Sequence, residues 1–276
     1  MNRKLLILLV FMIGIGSQVF TQVKLLITPK RVVFEGNKQR AELNLMNTGD
    51  DTARYSISFR QYNMAEQGNL VLTEKPDTAG MTSEPYLRIF PRQVVLPPGE
   101  SQVVMLQCRR TADMQPGEYR SHLWFRTESN FREPGKEKPN LDSTELSVSL
   151  TAVFGMTIPV IIRSGEVNAR ATLSGLQIEN RQDSTTWLKF LIHRTGNISI
   201  YGNLVADFYP PHGKPWQVGI LKSVGVYTNI NHRVVSMKLK DIPGVPLNEG
   251  RIVLRYTSPD DVKFELLAEE KLELNR

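Results

Sequence analysis

Along most of the chain, apolar residues fall at every second position, and short clusters of turn residues break the pattern. That is the mark of half-buried β-strands. Ala41, Leu43 and Leu45 alternate with polar neighbours before Asn47-Thr48-Gly49-Asp50 turns the chain. Tyr55, Ile57 and Phe59 repeat the pattern, followed by Leu87 and Ile89, the turn Pro97-Pro98-Gly99, a strand from Val103 to Cys108, and another from Tyr119 to Arg126. No sustained amphipathic helix interrupts them. Several short strands with turns between them predict a sandwich.

Residues 128–144 carry Glu128, Arg132, Glu133, Lys136, Glu137, Lys138 and Asp142 among two prolines and a glycine, and read as a long solvated loop. Beyond it, Leu146, Val148, Leu150, Ala152, Phe154, Met156, Ile158 and Val160 are apolar at every second position. That run exceeds the usual strand of about five or six residues. Extended at about 3.3 Å per residue it spans roughly 50 Å, more than one sandwich needs. Its first half either pairs along a neighbouring edge or waits for a partner; an ordinary core strand running into the linker is the plainer alternative.

Arg163-Ser164-Gly165 marks the domain boundary, and the alternation resumes after it. Leu188, Phe190 and Ile192 form one strand, Leu204, Ala206 and Phe208 another, then Val235, Met237 and Leu239, then Ile252, Leu254 and Tyr256. The charged end from Glu269 to Arg276 is a final strand or a frayed tail. The fold class is therefore all-β, with two immunoglobulin-like sandwiches in tandem over residues 23–163 and 164–276.

Residues 1–22 stand apart. A basic start at Arg3 and Lys4 precedes an apolar run from Leu5 to Ile15, then Gly16 and Ser17. This is the layout of a secretory signal, too short to span a bilayer, although a membrane anchor is the competing reading. With the segment removed, no later stretch is apolar enough for stable membrane insertion. Removing Arg3 and Lys4 lowers the formal net charge from +6 to +4, and the remaining charge is spread without a basic, aromatic-interleaved run. That distribution points away from nucleic acid. The single cysteine, Cys108, cannot form an internal disulfide, and its alternation with Val104 and Leu106 makes it a buried small hydrophobe.

The residues also resemble a family. The leading strand Thr28-Pro29-Lys30-Arg31-Val32-Val33-Phe34, the segment Tyr86 to Pro91 and the segment Gly117 to Phe125 resemble, in that order, segments of the periplasmic chaperones of chaperone–usher pilus systems. The charged loop and long alternating strand resemble the exposed loop and last strand of that family's first domain. The resemblance covers about residues 24–163, and the remainder only as a second β-domain. It implies a non-enzymatic periplasmic chaperone, without cofactor or metal, whose partners are pilus subunits and an outer-membrane usher. Such a chaperone lends its long strand to a subunit that lacks one. Leu146, Val148, Leu150 and Ala152 would fill the subunit's groove. The family holds the subunit's C-terminal carboxylate with two basic residues between its domains. Arg31 matches the first, and a guanidinium offers a carboxylate two parallel donors. The second, a lysine, corresponds to Pro159, so either another basic residue such as Arg163 or Lys30 completes the anchor, or the carboxylate is not held in the family's usual way. Arg31 reads equally as a surface arginine or as half of a domain–domain salt bridge. Self-association through the long strand is a further way to cap its edge.

Other chemistry finds little support. His122, His193, His212 and His232 are scattered, and no phosphate loop or nucleophile elbow occurs. Asp260-Asp261 and Glu269-Glu270 read as solvated turn and strand-end residues, and Trp124, Trp187 and Trp216 as core or interface aromatics. The competing functions are an exported structural or adhesive module that binds a protein or glycan, and, weakest, an exported β-sandwich hydrolase.

Overall fold

The computed structural model describes residues 25–73, 81–128, 155–182, 185–242 and 247–275. Leu146, Val148, Leu150 and Ala152 lie outside the described residues, as do the amino-terminal segment and most of the charged loop.

The described chain is all-β, with four sheets forming two sandwiches. In the first, β1 (Leu25–Thr28), β3 (Arg40–Asn47), β8 (Ser101–Cys108) and β6 (Leu87–Phe90) make one sheet in the order β1-β3-β8-β6. The facing sheet has the order β2-β10-β9-β4-β5, from β2 (Val32–Phe34), β10 (Gly155–Ser164), β9 (Gly117–Thr127), β4 (Ala53–Met64) and β5 (Leu70–Thr73). β7 (Gln93–Leu96) also pairs with β4. The alternating residues Leu43, Leu45, Ile57, Val104, Leu106, Cys108, Leu123, Phe125, Ile158 and Val160 share one core between these sheets. Cys108 is a free, buried thiol within it, and burial raises its pKa.

The leading strand differs from the sequence expectation. Residues 25–28 pair antiparallel with β3, and residues 32–34 pair parallel with β10 in the opposite sheet. Pro29, which has no N–H for a ladder, sits where the chain crosses between sheets. This crossing leaves Arg31 at the sandwich edge, beside the second domain.

The second sandwich pairs a three-stranded sheet, β11 (Ala169–Asn180), β12 (Thr186–Gly196) and β15 (His232–Lys238), with a four-stranded one. The latter has the order β14-β13-β16-β17, from β13 (Ile200–Tyr209), β14 (Trp216–Val226), β16 (Gly250–Thr257) and β17 (Leu266–Leu274). Its core is separate and holds Leu188, Phe190, Leu204, Phe208, Met237 and Tyr256. The fully buried Tyr256 phenol donates to the Val224 carbonyl at 2.7 Å, so its polar end is satisfied. The charged end is a strand, β17, not a frayed tail.

Gly202 marks the tightest approach in this sheet: a Cβ there would meet the Thr257 carbonyl oxygen at 2.0 Å. Gly202→Ala should therefore cost about 1–3 kcal/mol through backbone displacement. A chemical-denaturation midpoint equal to that of the parent would show that β13 yields freely at this point.

The tryptophans are less buried than expected. Trp216 is exposed, while Trp124 and Trp187 are half-buried beneath the guanidinium groups of Arg60 and Arg181, at 4.4 and 3.8 Å from the ring centroids. The Trp124 and Trp187 indoles thus lie against guanidinium groups instead of filling a core. His193 and His232, distant in sequence, come to 6.4 Å between ring centroids. Among the described residues no group of three or more His, Cys, Asp or Glu could hold a metal ion, and no helix is long and apolar enough to cross a membrane.

Candidate functional site

The outward face of β9 is where the domains meet. Every residue from Gly117 to Leu123 is buried, including the outward-facing Glu118, Arg120 and His122. Alternating polar residues would normally face water. Here the second domain covers them, and their hydrogen bonds define how it sits.

Glu118 is the centre of that contact. Its carboxylate accepts from Arg120 Nη1 at 2.9 Å on one oxygen, and from the Ser199 amide at 3.0 Å and Ser199 Oγ at 2.7 Å on the other. Arg120 in turn lies 3.7 Å over the Tyr227 ring and donates to Thr228 Oγ1 at 3.4 Å. His122 Nε2 is 3.2 Å from the Tyr227 hydroxyl. In the second domain, Arg194 donates to the carbonyls of Gly196, Ile198, Thr228 and Ile230 and to Asn231 Oδ1, fixing the loops that carry Ser199 and Tyr227. A second strut comes from the turn after β4. The Val234 amide on edge strand β15 donates to the Glu66 carbonyl at 2.8 Å, and the Asn229 side chain pairs with both backbone groups of Met64. The exposed edge is thereby capped by the first domain.

Beside this contact lies a cleft of about 530 Å³, lined by Lys30, Arg31 and Arg163 from the first domain and Tyr201 and Lys222 from the second. Glu35, Asp260 and Asp261 also line it. The acids are largely engaged: Lys222 Nζ binds Asp260 Oδ2 at 2.7 Å, and Arg163 Nη1 lies 3.4 Å from both Glu35 oxygens. Asn203 donates to Asp260 Oδ1 at 2.8 Å and accepts from the Ser223 amide at 3.0 Å, which holds Ser223 at a positive φ of 62° on the cleft wall.

Arg31 differs from its neighbours. Its guanidinium lies 4.3 Å from the Tyr201 ring centroid, and its Nε is buried with no hydrogen-bond partner among the described residues. Burial holds its pKa below the ordinary arginine value; Glu118 pulls it up, and Arg163 pushes it down. The group stays protonated, because an arginine is not neutralised in a protein. Arg31 is therefore not freely solvated, and among the described residues it makes no close salt bridge.

The structure brings Arg31, Arg163 and Lys30 to one cleft. Pro159 sits opposite His122 on β9 and one step before the Val160–Val32 pair. It thus occupies the position beside Arg31 and supplies no charge there. Arg163 lies two outward positions further on, with its Nε 3.8 Å from Glu118 and also without a hydrogen-bond partner. Glu118, Arg120, Tyr201 and Tyr227 were not singled out from sequence. The one available signal was Glu118-Tyr119-Arg120, two charges on a strand otherwise dense in aromatic and aliphatic residues.

No protein-family profile matches the chain, and no curated protein does. Solved structures of pilus chaperones match it across nearly its full length. The CupB2 chaperone of Pseudomonas aeruginosa is 10% identical, covering 90% of this chain and 100% of its own, with a TM-score of 0.42. A chain of the CsuC–CsuE chaperone–tip adhesion subunit complex of the archaic chaperone–usher Csu pili of Acinetobacter baumannii is 15% identical, with coverages of 89% and 97% and a TM-score of 0.43. A chain of the Salmonella enterica SafA pilin–SafB chaperone complex is 14% identical, with coverages of 94% and 99% and a TM-score of 0.41. At such identities the likeness is one of fold alone.

Proposed function

We propose that this protein is an exported, non-enzymatic chaperone of the chaperone–usher type. It holds a pilus or related surface-fibre subunit in the periplasm and anchors the subunit's C-terminal carboxylate in the cleft between its domains. The observation that carries this reading is the half-buried Arg31 guanidinium, 4.3 Å from the Tyr201 ring centroid, whose buried Nε has no hydrogen-bond partner among the described residues. A buried cation is costly unless it is paired and hydrogen-bonded, and a carboxylate would supply both its charge and two acceptors. Arg163, whose Nε is likewise unbonded, is the second contact, and Lys30 stands beside them. The resemblance of the leading strand and of Gly117 to Phe125 to that chaperone family supports the same reading. In it, residues 1–22 direct export, and Leu146, Val148, Leu150 and Ala152 complete the subunit's missing strand before an usher receives it.

The test is recovery of subunit with the tagged mature protein from periplasm of fibre-producing cells. Arg31→Ala should reduce the co-purifying β-rich subunit about tenfold to a hundredfold, the value of a charge-assisted pair of hydrogen bonds. Val148→Asp should abolish capture while circular dichroism stays that of the parent. Equal subunit recovery with Arg31→Ala would remove the anchor from this cleft. No subunit with any variant or the parent would favour the adhesive or structural module.

A further inference from the structure

Ser223 is the one non-glycine among the described residues with a positive φ, 62°. The Cβ of an L-residue is strained in that conformation, which glycine adopts freely. The strain sits in a β-bulge. Gly202 pairs with Val224 and Leu204 with Leu221, so Lys222 and Ser223 together oppose the single residue Asn203. Glycine is the usual residue at the left-handed position of such a bulge. What fixes the backbone here is Asn203, 5% exposed, whose Oδ1 accepts from the Ser223 amide at 3.0 Å. That bond needs a main-chain N–H and no side chain, so glycine would serve the bulge better. The Ser223 hydroxyl adds nothing to the fold: the residue is exposed, and its side chain makes no hydrogen bond among the described residues.

Strain that the local structure does not require points to function, and Ser223 lines the cleft between the domains. The register places it close to Arg31. Tyr201, which carries the Arg31 guanidinium, pairs across from Gly225, and a Cβ on Gly225 would meet the tyrosine ring at 3.4 Å. Val224 and Val226 turn inward to the core, so Ser223 shares the outward face with Gly225 and is the diagonal neighbour of Tyr201. Diagonal neighbours stand about 7–8 Å apart. A carboxylate with a hydrogen bond at each oxygen bridges donors roughly 6–8 Å apart.

We infer that the Ser223 hydroxyl is the second domain's donor to the carboxylate at the end of a bound polypeptide, binding one oxygen while Arg31 holds the other. Asn203 is the positioning residue that aims it. The inference rests on the proposed reading of the cleft as a carboxylate site. Lys222, the neighbouring cation, is already tied to Asp260 at 2.7 Å, which leaves the hydroxyl as the free donor on that wall.

The test is binding of a fluorescein-labelled hexapeptide of alternating valine and threonine to the mature protein, followed by anisotropy, with the peptide as free acid and as C-terminal amide. The parent should prefer the acid. Ser223→Gly relieves the strained φ and should raise the melting temperature by about 2–4 °C. It should nevertheless weaken the acid about threefold to tenfold, the value of one hydrogen bond, and the amide by less than about twofold. Ser223→Ala keeps the strain, so it should lose the same affinity without the gain in stability. Acid binding equal to the parent's in both variants overturns the inference, and the cleft remains a carboxylate site if Arg31→Ala still abolishes the preference. A loss confined to Ser223→Gly overturns it as well, because a loosened bulge and not the missing hydroxyl would then be responsible. A parent that binds acid and amide equally removes the carboxylate reading of the cleft, and this inference with it.

Discussion

Replacing Glu118 with alanine is expected to destabilise the protein by about 3–5 kcal/mol, the cost of removing one partner from a buried charge pair. For a chain of this size that lowers the melting temperature by roughly 10 °C or more. The reason lies in what Glu118 leaves behind. Its fully buried carboxylate accepts three hydrogen bonds, one from Arg120 and two from Ser199. Without it the Arg120 guanidinium, only 6% exposed, keeps the Tyr227 ring and Thr228 but no counter-charge. The Ser199 amide also loses its acceptor, at a further cost of about 1–3 kcal/mol when buried. Because Ser199 and Tyr227 belong to the second domain, the loss also uncouples the two sandwiches. Calorimetry should show the transition broadening or splitting in two, as each core then melts separately. Glu118→Gln should be milder, retaining an acceptor for Arg120 but presenting an amide to Ser199 if the oxygen faces the arginine. A melting temperature within about 2 °C of the parent for Glu118→Ala would mean that the Met64–Glu66 strut, not this carboxylate, sets the domain contact.

The strands of the first sandwich show where sequence reading succeeded and where it could not. Alternation located inward residues correctly: Leu43 and Leu45 on β3, Tyr55 and Ile57 on β4, and Ile158 and Val160 on β10 all reach the first core. Burial of alternate residues is a local property of a pleated strand, so a single sequence records it. The outward residues of β9 are different. Glu118, Arg120 and His122 have the polar character of a solvent face, and only the docking of another domain makes them a buried network. Nothing in the local pattern announces that docking. β14 escaped for another reason. Its register against β13 shifts twice, and glycines at 219 and 225 thin its pattern, so its buried positions do not alternate. β11 is likewise bulged between Ser174 and Gln177, with Gly175 at a φ of 65°. A bulge moves the side chains after it to the other face, which defeats a period-two reading. In the cleft, Arg31 was legible because the segment around it resembles a known one. Its partner Tyr201 was not, since the stacking depends on how the second sandwich rests against the first.

Acidification should weaken the domain contact well before the carboxylates titrate, through His122. This histidine is 1% exposed, packed edge-on against Tyr62 at 5.0 Å and bonded through Nε2 to the Tyr227 hydroxyl. Its Nδ1 is buried without a partner among the described residues. Arg120, on the same strand, faces the same tyrosine, and Arg60 of β4 is its cross-strand neighbour. No described carboxylate bonds to the ring, so an imidazolium would be buried with an unbonded N–H beside a cation. Burial first, and then Arg120, push its pKa from 6.5 down to about 3.

The sign of the effect follows from which state binds the proton. Above about pH 6.5 the ring is neutral in both states, and stability does not depend on it. As pH falls from 6.5 towards 3, the unfolded chain takes up a proton that the folded protein refuses. Unfolding is then favoured by about 1.4 kcal/mol for each pH unit, approaching roughly 4–5 kcal/mol in total. Below about pH 3 both states carry the proton and the loss levels off. Denaturant unfolding at intervals between about pH 7 and pH 4.5 isolates this window from most carboxylates. His122→Gln removes the titrating ring while keeping a polar group for Tyr227. The parent's stability should fall more steeply than the variant's by about 1.4 kcal/mol per unit. Parallel curves would mean that the folded protein accepts the proton on His122 without penalty, and that the contact between Tyr62, Tyr227 and the ring opens to water.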